Sequence, residues 1–142
     1  MSVRCDLVTL VVDSLLDATS AERNVYLART DALPIGTIKA ILVRLAGAEE
    51  IDERATEETE ARRLPVQVVA FARTVEALIA LSEEVDDVML VLHREAVLRD
   101  LPLPTFGDSQ GEDPRPEKPY WIATYELRIP YRVSIDDPSR EA

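Results

Sequence analysis

Hydrophobic and polar residues alternate almost without a break from Tyr120 to Ile135. Because successive side chains on a strand point to opposite faces, this pattern predicts one long strand, with Leu127 in the core and Glu126 on the opposite face. At about 3.3 Å per residue the strand reaches roughly 50 Å, more than the core of a small domain covers. We therefore expect its excess length to contact something outside the domain. The predicted apolar face comprises Trp121, Ala123, Tyr125, Leu127, Ile129, Tyr131, Val133 and Ile135.

Apolar residues at spacings of three and four predict two helices. The first extends from about residue 3 to residue 18, with Ser2 as a candidate N-cap and Cys5 as a small buried side chain. Its predicted apolar stripe is Val3, Leu7, Leu10, Val11, Leu15 and Ala18. The second begins after the N-cap candidate Thr74 and runs to about residue 98. Its predicted buried residues are Leu78, Leu81, Val85, Met89 and Leu92.

Three shorter segments are predicted as strands: residues 24–28, 38–45 and 64–73. The second is apolar at almost every position, which favours a strand covered on both faces. The predicted order is α-β-β-β-α-β. This order is typical of an α+β fold, with a mixed or antiparallel sheet of about four strands and two helices packed on one face.

The sequence predicts a single domain over residues 1–135, followed by a polar C-terminal tail at 136–142. Gly47 is expected to mark a bulge, a bend or the end of strand pairing. The acidic arm at 47–62 is interpreted as a mobile hairpin or a solvated loop, since its like charges repel one another. The proline-rich segment at 101–119 is predicted to be a loop.

The formal net charge of −11 comes from 27 acidic and 16 basic residues. This balance argues against nonspecific binding to nucleic acid or to an anionic membrane. Cys5 is the only cysteine, so an intrachain disulfide is impossible and a reducing compartment is expected. The longest apolar runs are too short to span a membrane, and Asp6 and Asp13 interrupt the N-terminal run in a way that does not fit a signal peptide.

Residue patterns for catalysis or for cofactor and metal binding are missing from the sequence. The four glycines form no phosphate-binding loop, and His93 is the only histidine, so it is interpreted as a rim residue near the end of the second helix. Adjacent carboxylates such as Asp86 and Asp87 diverge by about 100° on a helix and do not form a dyad. The acidic arm lacks calcium-loop spacing. We therefore expect no enzyme activity, no cofactor and no metal.

The order of these segments resembles that of a known family. A helix is followed by residues 24–29 (NVYLAR) and 40–43 (AILV), then by the acidic excursion, then by residues 62–73 (RRLPVQVVAFAR), a second helix and residues 123–132 (ATYELRIPYR). This arrangement is similar to the tail terminator, or tail completion, proteins of long-tailed bacteriophages. These form the lambda-type minor tail protein group, and gene transfer agents have related terminators. The resemblance covers nearly the whole chain.

The resemblance implies a structural virion protein at the head-proximal end of the tail, assembled in the host cytoplasm. Such proteins form a ring, typically a hexamer, that caps the tail tube and ends its polymerisation. The implied partners are the tail tube protein and the head-tail connector or neck protein. DNA passes through the lumen without specific binding, and no membrane partner is implied. Pro130 departs from the family pattern, and it indicates an edge position or a bulge in the last strand.

The candidate assembly residues lie in the acidic arm, in the proline loop and on the polar face of the last strand. They are Glu49, Glu50, Asp52, Glu53, Arg54, Glu57, Glu58, Arg62, Arg63, Pro104, Phe106, Arg128 and Arg132. Two alternatives remain open at this point. One is a head-side neck or adaptor protein of the connector complex. The other is a soluble α+β domain that oligomerises through its sheet and has no function readable from its sequence.

Overall fold

The computed structural model describes residues 3–19, 21, 25–27, 39–47, 49–53, 59–108 and 121–134. These residues form an α+β fold, as predicted. The helices are α1 (Val3–Ala18) and α2 (Val75–Arg94). The strands are β1 (Val25–Leu27), β2 (Lys39–Leu45), β3 (Glu50–Glu53), β4 (Thr59–Ala72), β5 (Thr105–Asp108) and β6 (Trp121–Ser134). Strands β1, β2 and β6 match the predicted ones. β4 begins at Thr59, five residues before the predicted strand 64–73 and within the predicted arm, and β3 and β5 are short additional strands within the predicted arm and loop.

The strands form one sheet in the order β1-β2-β4-β6-β5. β1 is parallel to β2, and all other neighbours are antiparallel. β2 and β3 share one side of β4, since β2 pairs with Val66–Ala72 and β3 pairs with Ala61–Arg63. Gly47, at φ +98°, lies between β2 and β3 where β2 pairing has ended, so this prediction is confirmed.

The centre of the sheet is a long two-stranded ribbon, which we call the β4–β6 ribbon. Each strand has 14 residues, and the register runs from Thr59 opposite Ser134 to Ala72 opposite Trp121 without a shift. At about 3.3 Å per residue the ribbon is roughly 45 Å long. The sequence predicted β6 as residues 120–135, so the length of β6 is confirmed to within a residue at each end.

The two prolines of the ribbon, Pro65 and Pro130, occupy equivalent positions in its hydrogen-bonding pattern. Residues that face each other across an antiparallel pair alternate between bonded and non-bonded positions. Pro65 lies opposite Arg128 and Pro130 lies opposite Arg63, two residues further along. The carbonyl of Pro65 accepts a hydrogen bond from the Ala46 N–H at 3.3 Å, so its backbone faces β2 rather than β6. Both prolines therefore occupy non-bonded positions of the ribbon, and Pro130 directs its backbone away from β4.

The helices pack on one face of the sheet and form the main core. From β4 and β6 this core takes alternate residues, including Val68, Tyr125, Leu127 and Ile129, each no more than 1% exposed. Glu126 and Arg128 are exposed on the opposite face, as predicted. The prediction was wrong for Trp121, which is 44% exposed because it lies at the end of the ribbon.

A smaller apolar cluster lies on the other face of the sheet. It consists of Ala40 and Leu42 from β2 and Val69 and Phe71 from β4, with Ile122 packed against it. Ile41 and Val43 are buried in the main core at the same time. Strand β2 is therefore covered on both faces, which confirms the prediction.

Helix α1 has the predicted bounds but turns a different face to the core. Val8, Val11 and Leu15 are buried, whereas Leu10 is 40% exposed. Cys5 and Ala18 are exposed as well, so the predictions for these two residues were wrong. Relative to the predicted stripe, the buried face is rotated about the helix axis by less than the angle of about 100° between successive residues. Val8 replaces Leu10 because the sheet and α2 contact the helix from one direction only. Ser2 lies outside the described residues.

Helix α2 buries all five residues that the periodicity predicted. Thr74 caps its start by accepting a hydrogen bond from the Ala77 N–H at 3.1 Å. The helix ends at Arg94, earlier than predicted, because Ala96 adopts a left-handed conformation with φ 61°. The Val97 N–H donates to Leu92 and the Ala96 N–H donates to His93, which is the hydrogen-bond pattern of a Schellman cap.

Candidate assembly surfaces

A charged cluster lies where α1 begins beside the β4–β6 ribbon, and we define it as Arg4, Glu49, Glu60, Arg62 and Tyr131. Arg4 donates two hydrogen bonds to the Glu49 carboxylate, from Nε at 2.5 Å and from Nη2 at 3.0 Å. The Tyr131 hydroxyl donates to Oε1 of Glu49 at 2.6 Å. Arg62 Nη1 lies 3.6 Å from Oε2 of Glu49, and Arg62 Nε donates to Glu60 at 2.7 Å. Glu49 thus joins α1 to both ribbon strands.

Hydrogen bonding fixes the charges of this cluster. The bonds from Arg4 lower the pKa of Glu49, and the same bonds raise the pKa of Arg4. The hydrogen bond to Glu60 raises the pKa of Arg62. Burial raises the pKa of the Tyr131 hydroxyl, and Glu49 adds to this effect. Glu49 is therefore ionised and Tyr131 neutral at pH 7, and the positive charges on both arginines face carboxylates.

The acidic arm contributes to the fold at both of its ends. Glu60 is only 5% exposed, and the Glu49 side chain is 22% exposed. Glu60 is therefore not part of a solvated loop, and Glu49 is only partly exposed. Arg4 and Arg62 supply opposite charges to these carboxylates, and Arg4 is 45 residues distant from Glu49 in the sequence. Between them, β3 pairs antiparallel with β4, as in a hairpin.

The other predicted assembly residues are distributed over the sheet. Glu50, Asp52 and Glu53 lie on β3, whereas Arg54, Glu57 and Glu58 fall outside the described residues. Arg128 and Arg132 are exposed on the face of β6 that points away from the helices. Arg63 lies on that same face of β4, opposite Pro130. Pro104 is half-buried just before β5.

Phe106 lies in an apolar groove between α2 and the edge of the sheet. We define this apolar groove as Val75, Leu78, Ile79, Phe106, Gly107 and Trp121, which enclose about 430 Å³. Phe106 is 58% exposed and Trp121 is 44% exposed. The sequence pattern missed the groove because it assigned Trp121 to the core and residues 105–108 to a loop. The proline-rich stretch is therefore not a loop throughout, since Thr105–Asp108 pair with β6.

The two surfaces lie toward opposite ends of β6. Phe106 is opposite Ala123, whereas Arg62 of the charged cluster is opposite Tyr131. Eight residues of strand separate these positions, which corresponds to about 26 Å. The structure thus brings Glu49 and Arg62 together and places Phe106 elsewhere.

A polar row crosses the sheet on the face away from the helices. The Arg44 Nε donates to Gln67 at 2.6 Å, and the Gln67 amide donates to Glu126 at 2.7 Å. The row runs from β2 through β4 to β6. It separates the smaller apolar cluster from Arg63 and Arg128 at the charged end of the ribbon.

Within the described ranges, no three His, Cys, Asp or Glu side chains are grouped in a way that could hold a metal ion. The helices of that part of the chain are too short or too polar to cross a membrane. His93 is half-buried near the end of α2, and its Nδ1 lies 3.2 Å from the Leu98 carbonyl oxygen.

No family model and no curated protein matches this sequence. Among solved structures, the chain is similar to the sheath/tube terminator of an extracellular contractile injection system, the PVC system, determined by cryo-EM in the extended state. The TM-score is 0.51 at 11% sequence identity. The match covers 96% of this chain and 58% of the terminator chain. The chain therefore shares the fold of this sheath/tube terminator and spans a little over half of that protein's length.

Proposed function

We propose that this chain is a structural tail terminator. It forms a ring, expected to be a hexamer, that caps a tail tube, ends tube polymerisation and provides the surface that joins the head-side connector. The observation that carries this proposal is the likeness of nearly the whole fold to a sheath/tube terminator. The resemblance in segment order to phage tail terminators points to the same role.

The geometry of the ribbon is compatible with assembly. β5 pairs with β6 only at Trp121–Thr124, so no described strand covers that side of β6 from Tyr125 onward. A ring needs contacts between two different surfaces of neighbouring copies, and such contacts close by rotation. A ribbon of roughly 45 Å supplies surfaces at both ends of the molecule.

The charge distribution suits a role in which DNA passes without binding. The net charge of −11 repels phosphate, so a lumen lined by this protein would not retain DNA. The arginines of the charged cluster face carboxylates and are not arranged as a phosphate site. In this proposal the chain binds the tube protein and the connector through protein–protein contacts alone.

A tube-length assay tests the proposal. Tubes assembled from the tube protein of the same particle should reach a bounded length when this chain is added, and they should grow without limit when it is omitted. Replacing Glu50, Asp52 and Glu53 by their amides should weaken capping if β3 contacts the tube. The matched control replaces Glu76 and Glu83 on α2 and Asp6 on α1, which removes the same number of charges from exposed positions. Unchanged tube lengths with the intact chain would contradict the proposal.

A further inference from the structure

A groove with an acidic rim lies between the two helices. We call it the helix groove; it has a volume of about 300 Å³, and its lining includes Ser14, Ala18, Asp87, Val91, Leu92 and Glu95. Asp87, Val91 and Glu95 are spaced four residues apart, so they lie along one side of α2. The Glu95 N–H donates to the Val91 carbonyl at 2.9 Å, which extends the helical turn to Glu95. The helix groove therefore presents two exposed carboxylates about 12 Å apart, with Val91 exposed between them.

The opposite face of the sheet carries the complementary pattern. Arg128, Pro130 and Arg132 alternate with buried residues of β6, so they form one row on the face away from the helices, and we call it the arginine row. Both arginines are exposed, and Pro130 is half-buried. Across the ribbon the two arginines lie opposite Pro65 and Ala61, which carry no charge. Four residues of strand place the arginines about 13 Å apart.

The charges of both surfaces are available to a partner. Within the described ranges, the side chains of Asp87, Glu95, Arg128 and Arg132 form no ion pair. In this they differ from the charged cluster, where Glu49 and the arginines neutralise one another inside the chain.

We infer that the helix groove of one copy of this chain binds the arginine row of a second copy. The two carboxylates of the groove pair with the two arginines, and Val91 packs against Pro130. The aliphatic stems of the arginines lie along the apolar floor of the groove while their guanidinium groups reach the rim. This inference rests on the proposed ring and names its subunit contact.

Local charge and spacing identify the occupant. Two copies at −11 each repel one another as wholes, but salt screens that repulsion beyond roughly 8–10 Å, so the charges that meet at the contact decide its sign. Carboxylates about 12 Å apart select a partner with two cations at that separation and an apolar residue between them. The chain carries such a row on its own surface. Nucleic acid does not fit, because its phosphates have the same charge as the rim.

The positions of the two surfaces suit a ring. The helix groove belongs to the helix layer, whereas the arginine row lies on the other face of the sheet. A contact between two different surfaces is heterologous, so it repeats from copy to copy and forms a ring when the rotation closes.

Charge reversal in the full chain tests the inference. The row variant carries Arg128→Glu and Arg132→Glu, the groove variant carries Asp87→Arg and Glu95→Arg, and the swapped variant carries all four substitutions. The swapped variant keeps the net charge of the parent, because the two pairs of reversals cancel. The matched control carries Glu76→Arg and Glu83→Arg, which reverse two other exposed carboxylates of α2 and give the net charge of the groove variant. Sedimentation equilibrium measures self-association, and circular dichroism establishes that each variant is folded.

The row variant and the groove variant should each weaken self-association by at least about tenfold, and the swapped variant should recover to within about threefold of the parent. The matched control should associate at least as strongly as the parent, because it lowers the overall repulsion. Repulsion between whole copies predicts the opposite result for the groove variant, which should then associate more strongly than the parent. Undiminished association of the groove variant, or a swapped variant that does not recover, would overturn the inference.

The unmodified chain provides a second test that needs no variant. Its self-association should weaken as NaCl is raised from about 0.05 M to about 0.5 M, because salt screens attraction between opposite charges. Association that strengthens with salt would show that like charges meet at the contact. A parent that remains monomeric up to about 1 mM at low salt would also overturn the inference.

The outcomes separate this inference from the proposed function. If the parent limits tube length but the row and groove variants associate normally, the subunit contact lies elsewhere and the terminator role stands. If the variants show the predicted pattern but the parent never limits tube length, the contact stands and the terminator role fails.

Discussion

Pro65 and Pro130 lie on opposite strands of the β4–β6 ribbon, and both occupy positions whose backbone does not bond across the ribbon. Each lies two residues from the position directly opposite the other. Pro65 lies where β2 pairing ends and β3 pairing has not begun, and Pro130 lies beyond the end of β5. Neither position requires an N–H for the ladder between β4 and β6. The ribbon therefore tolerates both prolines over its whole length, and Pro130 lies on a side of β6 that no described strand covers rather than at a bulge.

Replacing Pro130 by Val should change the free energy of unfolding by less than about 1 kcal/mol, because no ladder bond is lost. The Tyr131 backbone faces β4 and takes part in the hydrogen-bond ladder of the ribbon. Tyr131→Pro should therefore lower the free energy of unfolding by at least about 3 kcal/mol more than Tyr131→Ala, which removes only the side chain. Denaturant unfolding measures all three variants. Similar losses of unfolding free energy for Tyr131→Pro and Tyr131→Ala would show that the Tyr131 backbone does not bond to β4.

Leu127→Ala should lower the free energy of unfolding by about 2–5 kcal/mol, because the side chain is 1% exposed in the main core. Arg128→Ala, on the exposed face of the same strand, should change it by less than about 0.5 kcal/mol. Urea titrations of the two variants compare the faces directly. A loss below about 0.5 kcal/mol for Leu127→Ala would contradict the register of β6.

Ala96→Gly should raise the free energy of unfolding by up to about 1 kcal/mol, because Ala96 holds the left-handed position of a Schellman cap with φ 61°. Glycine adopts this conformation without a Cβ penalty. The matched control is Ala77→Gly inside α2, which should destabilise by about 1 kcal/mol. Thermal unfolding of the pair provides the measurement, and a loss of stability in Ala96→Gly would speak against this helix end.

Glu49 should make stability depend on pH in acid. Its pKa in the folded chain lies below the ordinary value of 4.5, so the unfolded state takes up the proton first as the pH falls. The stabilisation is complete above pH 4.5 and is lost as the pH falls through the folded pKa. Glu49→Gln should therefore be less stable than the parent at pH 7, and the difference should shrink below pH 4.5. A difference that stays constant with pH would exclude this role for Glu49.

Much of the fold was predictable because one periodic pattern decided each element. α2 carries five apolar residues at regular spacing, and all five are buried. β6 alternates strictly, and Leu127 and Ile129 fall in the core as the pattern requires. α1 was harder, because apolar residues surround much of the helix. Leu10 and Val8 compete for the buried face there, and only the direction from which the sheet contacts the helix decides between them.

The candidate surfaces were less predictable, since they depend on contacts between distant segments. In the sequence, Glu49 is one of many acidic residues in a charged stretch. Only the fold places Arg4 and Tyr131 beside it. β5 has only four residues among prolines, and its pairing with β6 gives it its structure. Trp121 follows the alternation of the buried face, yet the ribbon ends at this residue and leaves its ring half-exposed.

Electron cryo-microscopy of tubes mixed with this chain tests the central claim most directly. The account predicts a closed ring of identical copies at one end of each tube. Tubes with bare ends, or tubes that bind the chain along their whole length, would contradict the terminator role.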